Sequence, residues 1–260
     1  MIRALWTAAT GMEAQQVSQD VIANNLANVN TVGFKKARPD FQDLMYQLYS
    51  KSGAETSDGG QIPVGVEIGM GVKAMAVQKM FAQGDYMQTD NEFDCAIEGD
   101  GFFQLDDNGR TVYTRAGNFK LDKDGVLVSS EGLKLTPEVT IPPEAVHFTV
   151  DSGGTWTAAD DNGIALSTGR FELAKFINPA GLTSLGRNLY ASTEASGEST
   201  AGSPGENGYG TVSQRFLEMS NVNVVDEMVR MIVGQRAYEI NSKAIQTADS
   251  MLQMANSLIR

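Results

Sequence analysis

The sequence predicts an α+β protein in which long N- and C-terminal helices pair as a coiled coil around a central all-β domain and an extended arm. Three observations carry that prediction. Apolar residues recur at helical spacing at both ends of the chain. The middle switches to short alternating runs broken by Gly-containing turns. A Gly-rich polar stretch lies between the first helix and those runs. The expected divisions are 1–36, the N-terminal helix of an inner domain; 37–72, the arm; 73–218, the β domain; and 219–260, the C-terminal helix of the same inner domain.

At the N-terminal end, Leu5, Ala8, Met12, Ile22, Leu26 and Val29 follow a spacing of 3–4 that continues through Gln15 and Gln19. This predicts a helix from residue 3 to about 29 whose stripe carries a polar notch. The stretch "NNLANVNTVGFKK", 24–36, reads as its end. Asn24, Asn25 and Asn28 can bond neighbouring backbone groups, Gly33 offers the positive φ that commonly follows a helix, and Phe34 is an anchor for the turn. A solvated loop is the plainer reading of the same residues. Next come a short helical patch, "PDFQDLMYQLYS", and the Gly-rich "KSGAETSDGGQIPVGVEIGMG".

The β region is marked by its turns. Asn108–Gly109 is a strong two-residue hairpin signal and Asp124–Gly125 a second. "FFQL", "TVYT", "FKL", "VLVS" and "HFTVD" are the expected strands, and the Ser/Gly/Thr-rich 191–210 is expected to be a surface linker. At the C-terminal end Val224, Met231, Tyr238, Ile245, Leu252 and Ile259 recur every seven residues. Three residues after four of them stand Gly234, Asn241, Ala248 and Ala255, so large alternates with small along a helix of about 36 residues. Alone, such a helix could face the core of a globular domain. Two long helices with seams, one at each end of the chain, favour association instead. Met228, Met231, Met251 and Met254 suit either an adaptable interface or ordinary core filling.

Composition narrows the function. Against 32 Asp and Glu stand 20 Lys and Arg, a formal net charge of −12. That balance opposes nucleic-acid binding, which depends on cationic neutralisation of phosphate. Cys95 and His147 are the lone residues of their types, so neither an internal disulfide nor the usual zinc sets can be built. No run reaches the roughly 18 apolar residues of a membrane span. The start, "MIRALWTAATGMEAQQ", lacks a secretory apolar run, so the chain is expected to be cytosolic or exported without a cleaved signal.

Candidate chemistry is thin. "GDG" at 99–101 lacks the third glycine and following helix of a nucleotide loop. "DKDG" at 122–125 has its glycine fourth, where a calcium loop needs it sixth. Glu98 with Asp100, or Asp106 with Asp107, would need a dry pocket to serve as an acid–base pair, and they flank wet turns. His147 has no nucleophile motif beside it. No catalytic, cofactor-binding or metal residue is therefore assigned, and no enzyme activity is expected.

"MIRALWTAATGMEAQQVSQDVIANNLANVNTVGFKKARPDFQDL", "DFDCAIEGDGFFQL", "YTRAGNFKLDKDGVLV" and "LEMSNVNVVDEMVRMIVGQRAYEINSKAIQTADSMLQ" resemble the bacterial flagellar basal-body rod and hook family. The opening "RALWTAATGM" and the overall length are most like its distal-rod members. The likeness covers nearly the whole chain and is weakest over 48–66 and 145–200. One departure from the pattern that the resemblance implies is Arg215 in "VSQRFLE", where glycine is expected.

The resemblance implies a structural subunit that assembles with copies of itself into a rigid, hollow helical shaft. That shaft carries motor torque across the periplasm to the hook. Leu5, Met12, Ile22, Leu26, Val224, Met231, Tyr238, Ile245, Leu252 and Ile259 would then lie in the polymer interface. Proximal rod subunits, the hook protein, the periplasmic and outer-membrane ring proteins and a rod cap are the implied partners, without nucleic acid or membrane insertion. Export would run unfolded through the flagellar type III apparatus. A proximal rod subunit with a β domain and, from another class, a secreted β-domain binding module are the alternatives.

Overall fold

The protein is described from a computed structural model covering residues 2–50 and 63–258. The chain divides into two compact units. One comprises 1–26, 37–78 and 223–260; the other comprises 27–36 and 79–222.

In the first unit, helix α1 spans Ile2–Ala27 and helix α2 spans Val224–Leu258. They run antiparallel, because early positions of one meet late positions of the other. Asn25 Nδ2 lies 3.3 Å from Glu227 Oε2. A methyl group on Gly234 would come 3.4 Å from Gln15 Oε1, and one on Gly11 would come 2.9 Å from Asn241 Nδ2. Glycine on each helix thus admits a polar side chain of the other, which accounts for the notch at Gln15 and Gln19.

Two-stranded ribbons complete this unit. Strand β1 (Ala37–Asp43) and strand β2 (Tyr46–Ser50) precede β3 (Val66–Gly69) and β4 (Val72–Lys79). β1 pairs with β4 and β2 with β3, the latter with Tyr46 opposite Gly69 and Gln47 opposite Ile68. The helical patch expected over 39–50 is therefore corrected to strand. Strands β1 and β2 find their partners well along the chain, so long-range pairing outweighs a weak local helical pattern. Much of the Gly-rich stretch 51–71, namely 51–62, falls outside the described residues.

The second unit is almost all β. Strand β5 (Tyr86–Gln88) is followed by β6 (Cys95–Glu98), β7 (Phe102–Asp107), β8 (Arg110–Thr114), β9 (Lys120–Leu121), β10 (Leu127–Val128) and β11 (Lys134–Thr136). Then come β12 (His147–Val150), β13 (Thr155–Ala159), β14 (Ala165–Arg170), β15 (Leu173–Lys175), β16 (Thr183–Gly186), β17 (Leu189–Ala191), β18 (Thr200–Gly202), β19 (Thr211–Gln214) and β20 (Phe216–Glu218). The main sheet runs β16-β17-β8-β7-β11-β10-β9, with β15 joining β7 to β18. β12-β13-β14 form a separate meander, and β19 pairs with β6 and β20 with β5.

The expected Asn108–Gly109 hairpin joins β7 to β8, with both residues at positive φ (53° and 88°) and Asp107 opposite Arg110. β7 alternates as a two-sided strand should. Phe103 and Leu105 belong to the larger core with Ile97, Phe119 and Trp156. Phe102 faces the smaller aromatic cluster of Tyr113, Phe176 and Tyr190. The expected linker at 191–210 is corrected in part, since β18 pairs with β15 there. Ser196 is buried in the same stretch, its hydroxyl bonded to the Thr193 and Gly197 carbonyls.

Candidate assembly interface

The seven-residue stripe of α2 is the side that α1 covers. Gly234 and Ala248 are buried, while Val224, Met231, Asn241, Ile245, Leu252 and Ala255 are half-buried. Tyr238 keeps 42 % of its surface exposed, and Ile259 lies outside the described residues. On α1, Ile22 is buried and Leu5, Met12 and Leu26 are half-buried. Eight of the ten apolar residues singled out from the sequence are thus buried or half-buried.

What that contact leaves open is as informative. Val225 is 68 %, Val233 62 % and Ile240 65 % exposed on α2, and Trp6 is 65 % exposed on α1. The ribbons add Met45 at 84 % and Met75 at 70 %. Trp6 and the outer residues of α2 were missed by sequence reasoning, although the heptad stripe implied an opposite face whose apolar residues would be stranded.

The helix-exit turn is built on asparagine. The buried Asn25 side chain spans the Ala37 peptide unit, donating from Nδ2 to the Ala37 carbonyl at 2.8 Å and accepting its N–H on Oδ1 at 2.9 Å. Asn28 closes a turn with Thr31, whose N–H and hydroxyl reach the Asn28 carbonyl and Oδ1. Asn24 is exposed. Gly33 sits at φ 69°, and a Cβ there would fall 2.6 Å from the Ala116 nitrogen, so both conformation and space demand glycine. Phe34 is buried beneath the Lys79 ammonium, 5.5 Å from the ring centroid, and the same ammonium lies 5.1 Å from the Tyr190 ring.

Behind this turn, within the second unit, lies a buried charge cluster. Glu218, with no exposed side-chain surface, accepts from Lys35 Nζ at 2.5 Å, from the Gly84 N–H at 3.0 Å and from Arg115 Nη1 at 3.4 Å. Lys35 also donates to the Ala82 carbonyl, and Arg115 to the Gly99 carbonyl. Burial pulls the Lys35 and Arg115 pKa values below their ordinary ranges, with the Glu218 charge opposing both falls. Burial also pushes the Tyr190 hydroxyl up to about 12. No local sequence pattern announces this cluster, because Lys35 and Glu218 stand 183 residues apart.

The residues weighed for chemistry serve the fold. Asp100 pairs with Lys175 at the surface, Glu98 accepts from Thr211, and His147 begins β12 as an exposed residue. Burial raises the Cys95 thiol to about 12, so it is held as an unreactive core group. Among the described residues there is no cluster of His, Cys, Asp and Glu able to hold a metal ion. No described helix is long and apolar enough to cross a membrane.

Fold and surface together define a structural subunit, one whose paired end helices present an unpartnered apolar side. Comparison with known proteins says which. Three family profiles match: the flagellar basal body rod protein family over residues 5–35, the flagellar hook protein FlgE/F/G D1 domain over 96–158, and the flagellar basal body rod FlgEFG protein C-terminal region over 213–258. The flagellar basal-body rod protein FlgG of Borreliella burgdorferi is 48 % identical, with 100 % of both chains covered. That of Caulobacter vibrioides is 45 % identical over 99 % of each, and that of Bacillus subtilis 39 % over 100 % of each. The chain belongs to the family of flagellar basal-body rod proteins, in its FlgG branch. It is a structural subunit of the flagellar rod, located in the basal body, and the resemblance drawn from its sequence holds.

Proposed function

We propose that copies of this subunit stack head-to-tail into a rigid hollow helical shaft, with α1 and α2 pairing as a coiled coil in its inner layer. In this reading 37–72 acts as an arm between neighbours and the β unit forms the outer wall. Leu5, Met12, Ile22, Leu26, Val224, Met231, Tyr238, Ile245, Leu252 and Ile259 make the core of the helical layer, and Asn24, Asn25, Asn28, Gly33 and Phe34 turn the chain out of it. The shaft meets proximal rod subunits, the hook protein, the ring proteins and a rod cap, and transmits torque through stacked interfaces.

The observation that carries this reading is the stranded apolar surface of the helical unit. A stable monomer rarely leaves a contiguous set such as Val225, Val229, Ile232 and Val233 in water, each more than half exposed. An open-ended contact between different faces of identical subunits produces a filament. The test is sedimentation and electron microscopy of the purified chain across a concentration series. Straight tubular assemblies above a critical concentration are expected; a protein that stays monomeric at high concentration refutes the proposal.

A further inference from the structure

The outer face of α1 has a regular charge pattern that no ion pair among the described residues uses. Trp6, Ala9, Glu13, Gln16, Asp20 and Ala23 are all exposed, at alternating spacings of three and four, so they form one stripe along the helix. The stripe is acidic, with Glu13 and Asp20 seven residues apart. The outer face of α2 is its complement in sign. Arg236 and Lys243 are exposed and also seven residues apart, flanked on the same side by Ile232, Val233 and Ile240. None of these four charged residues forms an ion pair among the described residues. Glu239 borders the basic stripe, about 60° around the helix from Arg236.

Two equal spacings of opposite charge define a register. Seven residues rise about 10.5 Å along a helix, so two carboxylates on one helix can meet two cations on another at once. Direction is fixed by the chain itself. α1 and α2 of one copy run antiparallel, so copies stacked with the same polarity set one molecule's α1 antiparallel to the next molecule's α2. The matched arrangement puts Asp20 opposite Arg236 and Glu13 opposite Lys243. It also brings Ala23 beneath Val233, allowing close approach, and Trp6 beside Met251, a thioether suited to an aromatic ring.

Resting on the self-assembly proposed above, we infer that the acidic outer stripe of α1 docks on the basic outer stripe of α2 of a second copy of this chain. The two faces differ, so each subunit keeps one of each free and the contact propagates. Opposite charges would select this register and reject α1 on α1, where Glu13 and Asp20 would confront like charges.

Mixing and charge reversal test the contact. Protein carrying Asp20→Cys, mixed with protein carrying Arg236→Cys under assembly conditions and oxidised, should give a disulfide-linked dimer between the two variants. Buried Cys95 does not compete. In the full chain, Glu13→Lys with Asp20→Lys should raise the critical concentration about tenfold or more, while circular dichroism shows unchanged helix content. Adding Arg236→Glu with Lys243→Glu to the same chain should restore assembly to within about threefold of the native value. If the native chain assembles but the mixed dimer is absent and charge reversal has no effect, this contact is wrong and the rod reading stands. If the native chain does not assemble at all, both fall.

Discussion

Replacing Glu218 by Gln is the sharpest single perturbation of the β unit. The carboxylate is fully buried and faces two cations, Lys35 at 2.5 Å and Arg115 at 3.4 Å. Glutamine keeps the shape and one acceptor oxygen, so the Gly84 N–H can still be satisfied, but the only negative charge in the cluster is gone. Breaking a buried pair by removing one partner costs about 3–5 kcal/mol, because an uncompensated charge remains. A domain of ordinary stability, roughly 5–15 kcal/mol, would lose about a fifth of it or more. Urea unfolding followed by Trp156 fluorescence reads this unit, since Trp156 is 6 % exposed in its core while Trp6 is already in water. The midpoint should fall sharply at constant slope. Adding Lys35→Met to Glu218→Gln should recover about half of the loss or more by removing the orphaned ammonium. A Glu218→Gln loss below about 1 kcal/mol, or no recovery in the double variant, would refute the claim that charge compensation holds this cluster together.

Five further outcomes are expected. Gly33→Ala should cost about 3 kcal/mol in thermal unfolding, because a Cβ at φ 69° meets the Ala116 backbone. Gly132→Ala, at φ 84° with open space around it, should cost only about 1 kcal/mol. At position 215, which holds φ 63°, Gly should exceed Ala by about 1 kcal/mol in the same assay, since both lack the surface pair with Glu92 and only Ala keeps the strain. Tyr190 is ordinarily a pKa 10.0 group and here reaches about 12, so above pH 10 the unfolded chain ionises while the folded one keeps its proton. Stability present below pH 10 is therefore lost as pH rises to 12, by roughly 3 kcal/mol, and Tyr190→Phe should remove that loss in urea titrations. If the proposed arm between neighbours also stiffens the shaft, deleting 47–64 should give a more flexible or curved rod by electron microscopy, whereas straight, stiff rods would count against that role.

The features legible in the sequence were those whose signal is local. The α2 helix is written in a seven-residue stripe, and the Asn108–Gly109 hairpin in a dipeptide that tolerates positive φ. The patch at 39–50 failed because its strands are completed by β3 and β4, and neither pairing leaves a local mark. Arg215 shows the limit from the other side. The backbone there keeps φ 63° without glycine, held by bonds from the Thr89 N–H to its carbonyl and from its own N–H to the Asp94 carbonyl. The cluster of Lys35, Arg115 and Glu218 was invisible because its members look like ordinary surface charges until distant segments bring them together.

The chain passes between its two units at 26/27, 36/37, 78/79 and 222/223. On the β side, residues flanking those passages are tied down by side-chain hydrogen bonds. Lys35 is tied to Glu218 and to the Ala82 carbonyl. The Asn221 side chain accepts the Lys36 N–H and donates to the Met80 and Ala82 carbonyls. Hydrophobic packing alone would let such stubs slide, because it is non-directional. Hydrogen bonds to charged groups fix position, and in a dry setting their loss is expensive. In the assembly proposed above, the connecting segments would have to leave the β unit at fixed points. The same chemistry that orders the β unit alone would then serve as its mechanical anchorage. Glu218→Gln separates the two roles: if assembly survives while the rods lose stiffness, anchorage is the function of the cluster, and if stiffness is unchanged in a destabilised subunit, the cluster serves folding alone.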